Sequence, residues 1–344
     1  MYSACLTQWP KRSGRSIKRG VSRRERPARE LARYLPRMPA LAAAQLSGPI
    51  HLLVNPAAGN GRARHQIDRA YAALRTIGPV KVAESTRPRD ESRLAADAIE
   101  ANAKVLVVLG GDGSVTHAAR GLIAAQSLTP LAIFAAGTGN DFAKSLRIPA
   151  HNYLAMARLI AGGTSRLIDA GEIDGVPFVN AAGFGFDVDV LQRTRDPRHG
   201  RRLLRGTTLY VVTALQQLFR YRGFSAGVSA LHEGASRDWL TVVFANGQWF
   251  GGAFRIAPHA QLNDGMLDVV GIANVSAATR ALLFARAPRG VHITHDAVRT
   301  ARAAEFTLTS NDALHFQADG EPHHASSRTV RIRSLPNALR VVAP

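Results

Sequence analysis

Residues 104–122 read KVLVVLGGDGSVTHAARGL, a short apolar run that meets a glycine turn and then a helical pattern. The run is too short for a core helix and predicts a strand, followed by a helix over Val115–Ala125. The same unit recurs on either side. Upstream, PIHLLVNP (49–56) predicts a buried strand, AAGNG (57–61) a turn, and Arg62–Leu74 a helix. VKVAES (80–85) supplies a second strand, and Asp90–Ala101 a second helix. Downstream, LTPLAIFAAGTGND (128–141) gives a fourth strand and another glycine turn. Short apolar strands alternating with longer helical patterns predict a parallel sheet covered by helices. In such sheets the loops leaving the carboxyl ends of the strands form the binding crevice.

The pattern changes after about Thr164. RLIDAGEIDGVPFVNAAGFGFDVDV (166–190) alternates strand-like pieces with turn residues, and Asp174–Gly175 reads as a hairpin turn. One helix is expected over Arg202–Tyr221. Beyond it, WLTVVFANG, MLDVVGIAN, AEFTLTS, LHFQADG and TVRIRS read as strands, so the second domain is mainly antiparallel. The last segment is compatible with a return to the first domain, which spacing alone leaves open.

Composition narrows the class. The 344 residues suffice for two domains, and 46% apolar with 20% charged residues is ordinary for a globular protein. Cys5 is the single cysteine, which excludes an internal disulfide and a Cys-based zinc cluster. No apolar run of 18 residues occurs, and Met1–Trp9 lack the features of a secretion signal. The net charge of +19 is uneven: residues 1–50 hold 11 Lys/Arg against 2 Asp/Glu, leaving +10 for the rest. The run KRSGRSIKRGVSRRERPARE (11–30) lacks the apolar density to fold alone and reads as a disordered basic extension. A solvated tail, attraction to anionic lipid or nucleic acid, and a targeting segment all fit it.

The glycine turns carry the chemistry. Gly110, Gly111 and Gly113 let the backbone approach a ligand, and Asp112 among them can orient magnesium, water or a hydroxyl. The plain alternative makes Asp112 a helix cap. AAGTGND repeats the design, with Thr138 and Asn140 beside Gly137 and Gly139. VNPAAGNGR can present N–H groups to phosphate, with Arg62 adding charge. Two such turns in successive units argue for a nucleotide site. GxxxxGK[ST] is absent, and GDGSVT, GTGNDF and GFGFDV lack the third glycine of a dinucleotide fingerprint.

VNPAAGNG, GGDGSVTHAARGL, AAGTGNDFAKSLRIP, NAAGFGFDVDV, NDGMLDV, QADGEP and NALRV, in this order, resemble the diacylglycerol kinase catalytic-domain superfamily. The match is to its bacterial lipid-kinase branch, related to sphingosine and ceramide kinases, and runs from Pro49 to the end. The resemblance implies an amino-terminal three-layer α/β domain, a carboxyl-terminal β-sandwich, and an active cleft between them. The expected organisation is a basic extension at 1–48, a nucleotide domain at 49–163 plus 327–344, and a lipid-substrate sandwich at 164–326.

On this resemblance ATP meets Asn55, Thr86, Gly110, Gly111, Asp112, Gly113, Ser114, Val115, Thr116, Gly137, Thr138, Gly139 and Asn140. Magnesium is implied at Asp264, with main-chain oxygens of Gln261 and Met266; Asn263 stands where many relatives carry a second Asp. Asp112 is expected to orient the reacting centre, and Asp319 or Glu321 to accept the proton, with the choice between them open. Arg205 resembles a basic residue near the transfer site, and His117 reads as a local hydrogen-bonding residue. The implied activity is ATP-dependent phosphorylation of diacylglycerol or a related lipid hydroxyl. Sphingoid-base or ceramide kinase is the alternative, with NAD kinase and a nonenzymatic nucleic-acid-binding protein further off. The implied partner is a membrane lipid, with a cytoplasmic, transiently membrane-associated location, no specific nucleic-acid partner, and a homodimer left open.

Overall fold

A computed structural model of the protein describes residues 46–59, 61–195, 206–231 and 236–344. The basic extension up to residue 45, Arg205 and the side chain of Arg62 lie outside the described residues.

The first half alternates strands and helices in chain order. These are β1 (Ile50–Val54), α1 (Ile67–Arg75), β2 (Val80–Glu84), α2 (Asp90–Glu100), β3 (Val105–Gly110), α3 (Asp112–Ala124), β4 (Leu131–Ala135), α4 (Asp141–Ser145) and α5 (Tyr153–Ala161). A 3-10 turn at Arg62–Gln66 leads into α1, so the helix expected from Arg62 starts late. The four strands pair in parallel in the order β2-β1-β3-β4. Their register lines up Glu84, Val54, Leu109 and Phe134 across the sheet. The loops that follow these residues therefore leave one common edge. All residues of β1, β3 and β4 are buried, which accounts for their near-continuous apolar runs, broken only by His51 in β1.

The second half opens with the hairpin β5 (Arg166–Ile173) and β6 (Val176–Phe178). Asp174 and Gly175 both take positive φ at its turn, 49° and 77°, as a type I′ hairpin requires. Then follow β7 (Ala181–Gly185), α6 (Phe186–Arg195), α7 (Gly206–Gln217), β8 (Phe224–Val228), β9 (Arg237–Ala245), β10 (Leu267–Ala273), α8 (Ala277–Arg286), β11 (Val298–Ala303), β12 (Glu305–Thr309), β13 (His315–Ala318), β14 (Glu321–His324) and β15 (Thr329–Val341). Two sequence expectations are corrected here. GFGFDVDV turns helical at Phe186 rather than staying extended, and 277–286 forms a helix where only strands were read.

Pairing in this half is antiparallel, and β8 bonds both to β9 and to β12, linking the two sheets of the sandwich. Phe184, Trp239, Phe244, Phe306 and Phe316 fill its interior. The Trp239 indole N–H donates to the Ala226 carbonyl at 3.0 Å, which satisfies its one polar atom. A further apolar layer packs Phe186, Val190, Leu218 and Leu283 of the helices against Leu240, Val243 and Val270. Among the described residues no helix is long and apolar enough to cross a membrane.

One strand joins the halves. β15 pairs with β12, then with β5, and ends parallel to β4 through Val341 opposite Leu131. Its register shifts between Leu335 and Leu339, where Asn337 takes φ 54° and donates its N–H to Asp169 Oδ1 at 2.8 Å. Leu339 and Val341 thereby enter the core of the first half. Leu339→Ala should lower unfolding free energy by about 2–5 kcal/mol, read from the urea midpoint. A loss below about 1 kcal/mol would show that the joint does not rest on this packing.

Candidate active site

The two central turns meet backbone to backbone. A Cβ on Gly137 would lie 2.6 Å from Gly111 Cα, and one on Gly111 3.2 Å from Gly137 Cα. Glycine at both places is a steric requirement of that contact. Asn140 closes its own turn: its side chain accepts from Gly137 N–H at 3.1 Å and donates to Gly137 O at 3.0 Å. The Asn140 N–H then donates to Asp112 Oδ2 at 2.6 Å, fastening the second turn to the first.

Asp112 sits in the first turn of α3, which begins three residues before the expected start at Val115. The helix cap is Gly111, so the capping reading of Asp112 does not hold. Burial, and secondarily the nearby charge of Asp141, push its carboxyl up to about 6, against backbone N–H groups that favour the anion.

Asp112 and Thr138 line two adjoining spaces. The first is an open groove of ≈ 850 Å³, which also takes in Asn55, Thr86, Gly111, Gly113, Ser114 and Gly137 of the expected nucleotide residues, together with Glu321. The second is a cavity of ≈ 400 Å³ bounded by Thr116, Gly139, Asp187, Phe250, Gln317 and Asp319, among others. Beyond Asp187 and Phe250 lies an apolar recess of ≈ 80 Å³ walled by Phe186, Leu218, Phe254 and Phe284.

Not every expected residue faces these spaces. Val115 turns into the core of the first half, and the Asn140 side chain is spent on its own turn. Gly110 ends β3, where an added Cβ would meet the Ser114 side chain at 2.6 Å. Asn55 donates to Glu91 and to Ser114 Oγ, and the Thr86 hydroxyl donates to Asp90. Both therefore help hold the rim in place.

The two carboxylates of the DGE turn differ. Asp319 accepts the N–H groups of Val179, Asn180 and Ala181 and the Thr116 hydroxyl, at 2.8–3.2 Å. Burial raises its carboxyl while these N–H groups and Arg120 oppose the rise. It is a structural pin that fastens β13–β14 to the start of β7 and to α3. Glu321 faces the groove. Burial alone would raise its carboxyl, but His117 and Arg120 together hold it down at about 2. Arg120 Nη1 stands 2.5 Å from Oε2, with Arg89 Nε and His117 Nε2 at 3.2 and 3.3 Å from Oε1. His117, expected to bond locally, instead reaches Glu321 across the fold.

Several site residues went unread in the sequence. Asp141 is buried, accepts the Gly252 N–H at 2.7 Å and pairs with Lys144 at 3.2 Å, while Lys144 also donates to Gly252 O. The signal was present in GTGNDFAK, which places Asp and Lys three apart on a helix opening at the turn. Asp187 is buried at the cavity wall and burial raises its carboxyl to about 6, against the Thr241 hydroxyl. The Gln317 amide also opposes that rise, although neither its Nε2 nor Asp187 Oδ2 makes a hydrogen bond of good geometry.

The expected magnesium residues lie apart from these spaces, on the loop before β10. Asp264 Oδ1 accepts the Met266 N–H, whereas its buried Oδ2 lacks a hydrogen bond and has Arg302 Nη1 at 3.4 Å. Among the described residues no three His, Cys, Asp or Glu side chains gather to hold a metal. A site here would combine Asp264 Oδ2, which makes no hydrogen bond but faces Arg302, with the carbonyls of Gln261 and Met266, a hard-oxygen set that fits magnesium.

An open groove on glycine turns that shares a wall with a partly apolar cavity is the cleft of a two-substrate enzyme, and the family matches make that class the lipid kinases. Residues 49–173 match the diacylglycerol kinase catalytic domain, and 180–343 the YegS C-terminal NAD kinase beta sandwich-like domain. A diacylglycerol kinase of Mycobacterium tuberculosis is 32% identical over 309 residues, covering 86% of this chain and 96% of its own. A probable lipid kinase YegS-like protein of Pseudomonas aeruginosa is 30% identical over 287 residues, covering 83% and 92%. A crystal structure of a diacylglycerol kinase from Bacillus anthracis superposes with TM-score 0.63 at 18% identity, covering 86% and 97%, a likeness of fold. The chain belongs to the diacylglycerol kinase family, with the YegS-like bacterial lipid kinases.

The raised carboxyl of Asp112 has a consequence for stability. The folded state keeps its proton up to about 6, whereas the unfolded chain releases it near 3.8. Ionisation therefore costs stability: nothing below about pH 4, increasingly from 4 to 6, and fully above. At about 1.4 kcal/mol per pH unit, Asp112→Asn should be more stable than wild type by roughly 3 kcal/mol at pH 8. The difference should vanish at pH 3.5 in denaturant titrations, and a pH-independent difference would refute the assignment.

Proposed function

We propose that the protein transfers the terminal phosphoryl group of MgATP to the hydroxyl of diacylglycerol or a closely related lipid. The observation that carries this reading is the shared wall: Asp112 and Thr138 border both the groove and the cavity. A triphosphate in the groove and an alcohol in the cavity would meet there. The glycine-turn N–H groups suit the nonbridging phosphate oxygens. Phosphoryl transfer asks mainly for alignment and charge neutralisation, and turns fixed by backbone contact provide the first.

Asp112 is the carboxylate matched to take the hydroxyl proton. A general base works best with its pKa near the working pH. Asp112 stands at about 6, whereas Glu321 is held at about 2 and every oxygen of Asp319 is already accepting donors. The acceptor's chains would extend toward the apolar recess past Phe250. Because such an acceptor resides in a bilayer, transient membrane association belongs to the same proposal. Gln261, Asp264 and Met266 would hold a separate magnesium ion, which would brace the loop before β10.

A panel of diacylglycerol, sphingoid base, ceramide and NAD, with γ-labelled ATP and magnesium, tests the reading. Label in a lipid phosphomonoester is the expected result; label in NAD alone, or in none, overturns it. Asp112→Asn should lower kcat by about 10²–10⁴-fold with the fold intact. Wild-type kcat/KM should fall tenfold per pH unit below about 6, because protonated Asp112 cannot act as a base.

A further inference from the structure

Glu321 is an anion in a groove suited to phosphate, and the way it is neutralised is uneven. Arg120 is committed elsewhere: besides Glu321 it donates to Pro177 O at 2.8 Å and Ala318 O at 3.2 Å. Its side chain is 14% exposed and His117's is 12%. Arg89 is different. It is 64% exposed, and among the described residues its side chain makes one hydrogen bond, from Nε to Glu321 Oε1 at 3.2 Å. It stands at the cap of α2 with φ 65°, on the groove rim beside Ser85, Thr86 and Arg87.

We propose that Arg89 is a ligand for the polyphosphate of the nucleotide, held by Glu321 while the groove is empty and released to the phosphates when it fills. The inference rests on the nucleotide reading above. A guanidinium matches phosphate oxygens in a planar fork, and the exchange trades one charge-assisted pair for another. Little else would have to move, since Arg120 remains paired with Glu321 and His117 stays in contact with it. The acidic residue then tunes affinity: it competes with ATP for the same cation, so the groove binds nucleotide less tightly than its basic rim would allow.

The test is a double-mutant cycle on the full chain, reading the Kd of MgATP by calorimetry without lipid acceptor. Arg89→Ala should weaken binding about tenfold, and Arg89→Lys, which keeps charge but not the fork, by less. Glu321→Gln should tighten binding several-fold, and that gain should disappear in the Arg89→Ala background. Equal Kd values for wild type and Arg89→Ala would overturn the inference while leaving the nucleotide reading standing. So would a Glu321→Gln gain of the same size with and without Arg89. Failure of the wild type to bind MgATP at all would remove both.

Discussion

The site depends on the contact between the backbones of Gly111 and Gly137. Any side chain there would push the two strand-end turns apart, and the hydrogen bond from Asn140 N–H to Asp112 would be lost with them. The contact can form because β3 and β4 are parallel neighbours whose ends are in register, with Gly110 opposite Ala135. Sheet topology brings the turns together, and glycine lets them touch. The consequence is a carboxylate fixed in a part-buried position beside Asp141, where desolvation and a like charge raise its proton affinity and make it costly to ionise. Strained or costly groups of this kind concentrate where a protein does chemistry.

The second half contributes through one residue that sequence reading cast as a reactive group. Asp319 receives three consecutive backbone N–H groups from residues 179–181, which would otherwise be buried donors without partners. The Thr116 hydroxyl adds a tie to α3. The carboxylate therefore sets the position of the DGE turn against the first half, and through that turn the position of Glu321. Arg120 reinforces the same joint from α3, reaching Pro177, Ala318 and Glu321 at once.

How much of this was legible follows from what each feature depends on. The parallel half was readable because β1, β3 and β4 are buried throughout, so their apolar runs are nearly continuous, with His51 the one polar residue, and are bounded by glycine turns. The Asp174–Gly175 hairpin was readable because positive φ at two successive residues leaves few sequence choices. α6 was not, since its opening FDVDV alternates apolar and acidic residues like a strand, and only tertiary packing of Phe186 and Val190 makes it a helix. α8 was lost among flanking strand signals. In the site, the glycine turns and Asp112 announced themselves by spacing. The pairing of Glu321 with Arg89, His117 and Arg120 did not, because these partners are separated by about two hundred residues and meet only through the fold.

Four of the carboxylates around the cleft show how environment divides their labour. Asp319 is satisfied by backbone donors, and Glu321 by cations. Asp112 has its Asn140 hydrogen bond but sits part-buried beside another acid, and Asp187 Oδ2 lacks a hydrogen bond of good geometry. Groups whose proton affinities are driven apart within one cleft are those to which acid–base roles can be assigned. Glu321 and Asp112 stand about four pH units apart although both border the same groove. The separation follows from placement alone: guanidinium groups from the first half reach Glu321, and none reaches Asp112. A chain with this much positive charge could have neutralised every acid in its cleft. Two carboxylates are raised to about 6, Asp112 and Asp187, and of these Asp112 alone borders the groove as well as the cavity, which supports the proton-accepting role proposed for it.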